Sequence, residues 1–269
     1  MKRVSIIFLI LYTLLSIYSL AALLFNWNFP LLLTPIITIC GSVFSLLYGA
    51  FHLGWKRILI LAVSCFIIAL IMESVGVATG LVYGPYHYTS QLGPKFLGLV
   101  PYIIPVAWFM MMYPSLVIAA RIMRTPDPDG WKVPAVAAIG GIIMTAWDIV
   151  MDPIMVLGGN WIWDGSVGSR VFFGIPLQNF WGWWLTTFLT FCVYLFIARK
   201  WARKPIQVLT HRTPLAIYII TGTTSVFSSF IMGLGGPALA GIFAMAPWMV
   251  IGMMEKETIP MHGLKTTWF

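Results

Sequence analysis

Two carboxylates four residues apart in an apolar stretch are the first groups in this chain that could do chemistry. They lie in Thr145-Ala146-Trp147-Asp148-Ile149-Val150-Met151-Asp152-Pro153. On a helix, positions i and i+4 share a face, so Asp148 and Asp152 stack one above the other. Two neighbouring carboxyls in a medium of low dielectric can hold one proton between them. Such a pair offers a neutral acid and an ionised partner at the same moment, which is what proton-transfer chemistry needs. Pro153 removes a backbone N–H and frees the carbonyl of Ile149, leaving a polar notch beside the acids.

A third acid belongs with them. Glu73 opens the run Glu73-Ser74-Val75-Gly76-Val77-Ala78-Thr79-Gly80, which leads into Tyr83-Gly84-Pro85-Tyr86-His87-Tyr88. Its small residues allow close helix approach or a slot for a flat ligand. Asn160-Trp161-Ile162-Trp163-Asp164 follows the acid pair, and Gly174-Ile175-Pro176-Leu177-Gln178-Asn179-Phe180-Trp181-Gly182-Trp183-Trp184 comes next. From these segments Trp147, Asn179, Trp181, Tyr83, Tyr86 and His87 are taken as the groups that bind around the three acids. The remaining tryptophans read as an ordinary interfacial belt.

The elements that must position these groups are membrane helices. Apolar residues make up 60% of the 269, charged residues only 9%, and mean hydropathy is +0.92. That excludes a soluble globular domain. Eight apolar segments are predicted near 4–25, 31–51, 58–81, 97–120, 134–157, 177–198, 214–233 and 236–254. Each is long enough to cross the hydrocarbon core. The fold class expected is an all-α, polytopic transmembrane bundle forming one domain over 1–269. The first segment is read as a permanent span and not as a cleaved signal. Cys40, Cys65 and Cys192 all fall in apolar segments without metal-type spacing and read as packing thiols.

Charge placement gives the topology. With the N-terminus in the cytoplasm, 14 of the 16 Lys and Arg residues fall inside and only Lys95 and Arg170 outside. That is the positive-inside pattern, and it puts both termini in the cytoplasm. The net charge of +8 is thereby accounted for without nucleic acid. Asp127, Asp129, Glu255 and Glu257 fall beside cytoplasmic loops and Asp164 in an external one. At about 1.5 Å per residue, Glu73, Asp148 and Asp152 lie roughly 12, 14 and 8 Å from the outer ends of their helices. All three occupy the outer half of the bilayer. A buried acid there costs several kcal/mol unless paired or hydrated, and so marks a functional site.

The motifs Trp-Asp-x-x-x-Asp-Pro (Trp147, Asp148, Asp152, Pro153) and Gly-Ile-Pro-x-x-Asn-x-x-Gly-Trp (Gly174, Ile175, Pro176, Asn179, Gly182, Trp183) resemble the membrane carotenoid hydratases. So does Glu-x-x-Gly-x-x-x-Gly ending in Tyr-Gly-x-Tyr (Glu73, Gly76, Gly80, Tyr83, Gly84, Tyr86). That family includes γ-carotene and bisanhydrobacterioruberin hydratases, and the likeness covers roughly residues 58–200. It implies a lyase that adds water across a terminal isopropylidene C=C of a linear carotenoid. A strong acid protonates the less substituted carbon, and water captures the tertiary cation. No cofactor or metal is needed. Within that chemistry the deeper Asp148 is read as proton donor, Asp152, nearer the outer interface, as the group orienting water, Glu73 as a group that tunes or relays protons and Asn179 as the water's holder. The expected partners are a lipophilic carotenoid and the lipid bilayer, in a prokaryotic plasma membrane, with association with other carotenoid-pathway membrane enzymes left open.

Two other classes use similar residues. Intramembrane prenyltransferases carry Asp-x-x-x-Asp, but with a second acidic motif and a cytoplasmic site. Proton-coupled transporters bury acids too, usually between repeated halves, and residues 1–130 and 131–269 show no such repeat.

The charge split predicts sidedness. Cysteine at Ser166 should react with an impermeant thiol reagent in intact cells, and cysteine at Asp129 should not. The reverse labelling overturns the topology and the depth assigned to the acids.

Overall fold

The computed structural model describes residues 1–28, 32–125, 127–164, 171–201 and 212–254. Among them are eight helices long and apolar enough to cross a membrane. They are α1 (Lys2–Leu24), α2 (Leu33–His52), α3 (Trp55–Thr79), α4 (Ile103–Ile122), α5 (Lys132–Leu157), α6 (Leu177–Ala198), α7 (Thr213–Ile231) and α8 (Gly235–Met254). The chain is an all-α, multi-pass membrane bundle. Residues 165–170 and 255–269, which carry Ser166, Arg170, Glu255 and Glu257, lie outside the described residues.

Helix α4 is the axis. It packs on α2, α3, α5 and α7, while α1, α2, α3, α6, α5, α8 and α7 follow one another around it, with α7 returning to α1. From Trp108 to Ala120 every residue of α4 is buried. By contrast α1 exposes Ile7, Ile10, Leu11, Leu14 and Ile17, as a peripheral helix facing lipid must.

A central helix with proline inside it needs outside donors. Pro114 cannot bond the carbonyl of Met110, and Ser45 Oγ of α2 donates to that carbonyl at 2.9 Å. Ser42 Oγ does the same for Val106 O at 2.9 Å. Glycine lets the other helices close up. A Cβ on Gly140 of α5 would stand 2.3 Å from the Phe191 ring of α6, and one on Gly241 of α8 would stand 2.6 Å from Val150 Cβ.

The ends of the bundle differ in chemistry. At one end Arg57 pairs with Asp127 at 2.6 Å, His52 Nδ1 meets Tyr113 OH at 2.9 Å, and Arg121 Nε donates to Gly252 O at 3.0 Å. The three acids lie toward the other end, beneath short β-ribbons.

Those ribbons are the departure from the sequence reading. Strand β1 (Tyr86–Tyr88) pairs with β4 (Trp161–Trp163), β2 (Lys95–Phe96) with β3 (Val100–Pro101), and β5 (Val171–Phe172) with β6 (Ile175–Pro176), all antiparallel. The fourth span therefore starts at Ile103 and not near 97. Leu97 and Gly98 take positive φ (49° and 73°) and turn the β2–β3 hairpin. Hydropathy counted Phe96-Leu97-Gly98-Leu99-Val100 as helix because interfacial hairpins can be equally apolar. Helix α3 stops at Thr79, where Gly80 adopts a left-handed φ of 70° and its N–H bonds Gly76 O at 2.8 Å.

The glycine contact is testable. Gly140→Leu must displace the fully buried Phe191 ring, so the thermal midpoint should fall by the equivalent of about 1–3 kcal/mol of overpacking. Phe191→Ala in the same chain should recover part of the loss. Two effects that merely add would show that the pair does not touch.

Candidate functional site

The site begins with the register of α5. Asp148 and Asp152 are 0% and 1% exposed, on the face turned toward α6. From α6, Asn179 Nδ2 donates to Asp148 Oδ2 and to Asp152 Oδ2, both at 2.7 Å. One side-chain NH₂ thus spends each of its two hydrogens on a different carboxyl. Asp152 Oδ1 accepts from Trp161 Nε1 at 2.7 Å, while Asp148 Oδ1 is buried with no hydrogen-bond partner.

Glu73, 3% exposed on α3, accepts at both oxygens. Trp108 Nε1 of α4 donates to Oε1 at 2.9 Å, Tyr88 OH donates to Oε2 at 2.8 Å, and Tyr86 OH donates to the same Oε2. No Lys, Arg or His takes part in these bonds. The carboxyls are held by indole, phenol and amide donors alone. Among the described residues, no three His, Cys, Asp or Glu side chains stand where they could share a metal ion.

These groups enclose a cavity of about 130 Å³. Glu73, Asp152, Asn179, Tyr83, Tyr86 and Tyr88 supply its polar wall. Trp108, Trp147, Trp161, Trp163 and Trp183 supply an aromatic one. Thr34, Thr38, Ile104, Ala107, Met110, Met151 and Met155 complete it toward α2 and the outer part of α5. Asp148 is not part of this wall and lies behind Asn179.

The ribbon β1–β4 closes the end of the bundle nearest the acids. Tyr86 lies opposite Trp163 and Tyr88 opposite Trp161, and these four side chains face inward. The ribbon is anchored by Lys95 Nζ, which donates to Tyr88 O at 2.5 Å, and by Asp164 N, which donates to Pro85 O at 2.8 Å. Tyr83 enters from the same side and bonds Thr186 at 2.8 Å. Its ring occupies the space left by two glycines: a Cβ on Gly76 would stand 2.6 Å from it and one on Gly182 2.4 Å.

Of the residues singled out by sequence, the structure gathers Glu73, Asp148, Asp152, Asn179, Trp147, Tyr83 and Tyr86. It does not bring in His87 or Trp181. Side chains on a strand alternate, so His87, between two inward tyrosines, must face out. It meets Asp164 at 2.7 Å on the surface. Trp181 is two residues past Asn179, on the far side of α6. It is 58% exposed and stacks on Trp184 at 4.8 Å. The residue that shares a face with Asn179 is Trp183, at i+4. Sequence reasoning missed Trp183, Trp108, Tyr88, Trp161 and Trp163. The matched Tyr-x-Tyr and Trp-x-Trp spacings were the available signal for the last three.

Fold and site together define a multi-pass helical membrane protein with an acid-bearing, aromatic cavity beneath one end of the bundle. The chain belongs to the carotenoid biosynthesis protein family, whose pattern it matches over residues 33–247. A bisanhydrobacterioruberin hydratase of Haloarcula japonica is 29% identical over 160 residues, which cover 58% of this chain and 52% of that protein. The match therefore takes in about half the length of that relative. No solved structure matches the chain.

The phenols give a test of the polar wall. Burial first, and then the neighbouring Glu73 charge, hold the Tyr86 and Tyr88 hydroxyls well above the ordinary tyrosine value. A group whose folded-state value is raised contributes stability below its unfolded value, and loses it as pH climbs toward the folded one. The thermal midpoint should therefore fall as pH rises past about 10, the unfolded tyrosine value. The fall should be shallower in Tyr86→Phe/Tyr88→Phe. Equal slopes would mean that these phenols are free to ionise in the folded protein.

Proposed function

We propose that this chain is a carotenoid hydratase: it adds water across a terminal isopropylidene double bond of a linear carotenoid to give a tertiary alcohol. One observation carries the reading. Two carboxyls share a single Asn179 amide at the wall of an apolar, aromatic cavity with no basic partner in the bonds that hold them. The aromatic faces around the acids suit a reaction that passes through a cation. The family membership and the hydratase name of the Haloarcula relative support the same reading.

The geometry favours Asp152 over Asp148 as the group that meets the alkene, because Asp152 lines the cavity and Asp148 does not. The pair carries one proton, and Asp152 delivers it to the less substituted carbon. The alkene's electron pair forms the new C–H bond and leaves a tertiary cation. Water attacks that cation, and its surplus proton passes to a carboxylate. Glu73 lines the same cavity and accepts three hydrogen bonds, so it suits the role of a fixed anion that orients the water. Tyr83 and Tyr86 shape the slot beside it. Asp148 supports Asp152 through Asn179.

Acid–base chemistry of this kind uses no resident cofactor. The membrane lipid and a lipophilic polyene are the partners, and the prokaryotic cell membrane is the proposed location. The whole chain works as one transmembrane domain in this reading.

Purified protein given a linear carotenoid with an acyclic end should yield a product heavier by one water. Asp152→Asn should reduce alcohol formed per folded enzyme by roughly 10²–10⁴-fold, the usual contribution of a general acid. Asp148→Asn should cost less, because that group acts through the pair. Folding should survive both changes, since a neutral amide is cheaper to bury than an ionised acid. If both Asn variants hydrate near the wild-type rate, the acid pair is not the proton source.

A further inference from the structure

A tertiary cation formed in this cavity has to be stabilised by something that does not react with it. A carboxylate in direct contact would collapse onto the cation as an ester or strip a neighbouring proton and return the alkene. An aromatic face attracts a cation without forming a bond. Five tryptophans line the cavity, and their surroundings differ.

Trp108 sits in the second turn of the central helix α4 and is 2% exposed. Trp183 stacks on it at 4.1 Å between ring centroids and 26° between planes. Trp183 is in turn met edge-on by Trp147 at 5.7 Å and 83°. One face of the Trp108 indole is thus covered by Trp183, which is itself held edge-on by Trp147. Trp108 lines the cavity, and with one face covered by Trp183 only its other face could meet a bound cation. Its Nε1–H donates to Glu73 Oε1 at 2.9 Å. A carboxylate accepting from the indole N–H pushes electron density into the ring and strengthens the negative potential of its face.

We infer that Trp108 is a catalytic residue whose indole face stabilises the tertiary cation, with Glu73 as the anion that enriches the ring through its N–H. The inference rests on the hydration reading above. It gives the cation a face that attracts without bonding. Trp161 also gives its N–H to a carboxylate, but that carboxylate is Asp152, whose charge changes as the proton leaves and returns. Glu73 accepts from three donors, each of which favours its ionised form, and it gives up no proton in the step. The chemistry of the step is unchanged: the proton leaves the aspartate pair for carbon, water supplies the C–O bond, and the surplus proton returns to a carboxylate.

The test places mono-, di- and trifluorinated tryptophan at position 108 by nonsense suppression in the full-length protein. Each fluorine drains the ring face and leaves shape and N–H in place. The logarithm of the hydration rate should fall linearly with fluorine number. The full series should span at least roughly tenfold, the scale of a desolvated cation–π contact. Carotenoid binding, read from the shift of its absorption band, and thermal midpoint should stay level. Fluorine also makes the indole N–H a stronger donor. If Trp108 only holds Glu73 in place, the rate will therefore stay flat or rise, and the inference falls. Wild-type protein that adds no water to any acyclic-ended carotenoid would instead overturn the hydration reading, and this inference with it.

Discussion

Everything at the acid-bearing end of this bundle answers to one constraint: three carboxyl groups are placed in a hydrocarbon-like interior without a cation among their bonding partners. Hydrocarbon offers no compensation, so each oxygen must find an N–H or O–H donor or remain unpaired. Asn179 supplies two donors from α6, Trp161 one from the ribbon, Trp108 one from α4, and Tyr86 and Tyr88 two more. The acids therefore tie together α3, α4, α5, α6 and both strands of the ribbon. Removing any one donor would leave charge or polarity stranded where water is scarce. Tertiary structure at this end is, in effect, the solvation shell of three carboxyls.

That shell explains the glycines and the prolines. Tyr83 can reach Thr186 only because Gly76 and Gly182 leave its ring a slot. Helix α4 can stand at the centre with Pro114 in it only because Ser45 serves the carbonyl that the proline cannot. In lipid there is little hydrophobic gain from pressing one apolar helix on another, so small residues and stray hydrogen bonds decide which faces meet. The Arg57–Asp127 pair at the opposite end follows a different rule, with charge matched to charge at 2.6 Å.

Much of this was legible in the residues. The eight spans followed from hydropathy, because a bilayer tests every segment against the same length. The three acids announced themselves, since acids in spans need a reason, and Asn179 came with the resemblance of its motif to the carotenoid hydratases. What could not be read was the ribbon. Tyr86-His87-Tyr88 and Trp161-Ile162-Trp163 are separated by more than seventy residues, and nothing in either segment names the other as partner. Without that pairing the pleat could not be assigned, and His87 could not be told from the tyrosines on either side of it. Trp181 failed for a simpler reason. Among the tryptophans on α6, nearness in sequence to Asn179 is not nearness in space, because a helix brings i+4 and not i+2 onto one face. Trp108 carried no local signal at all, since an indole in an apolar helix says nothing about what its N–H will find.

The size of the cavity has its own consequence. At about 130 Å³ it is far too small for a whole polyene chain. A long molecule can offer it only a tip, with the remaining length lying elsewhere, alongside the helices or among the lipid tails. Such a pocket reads the shape of an end and is blind to the distance behind it. Chains of different length with the same tip are equivalent to it, and the two tips of one chain are strangers to each other, each met as a separate encounter. For a molecule with two matching ends, the mixture of singly and doubly altered chains would then be governed by time and abundance, not by any memory held in the protein.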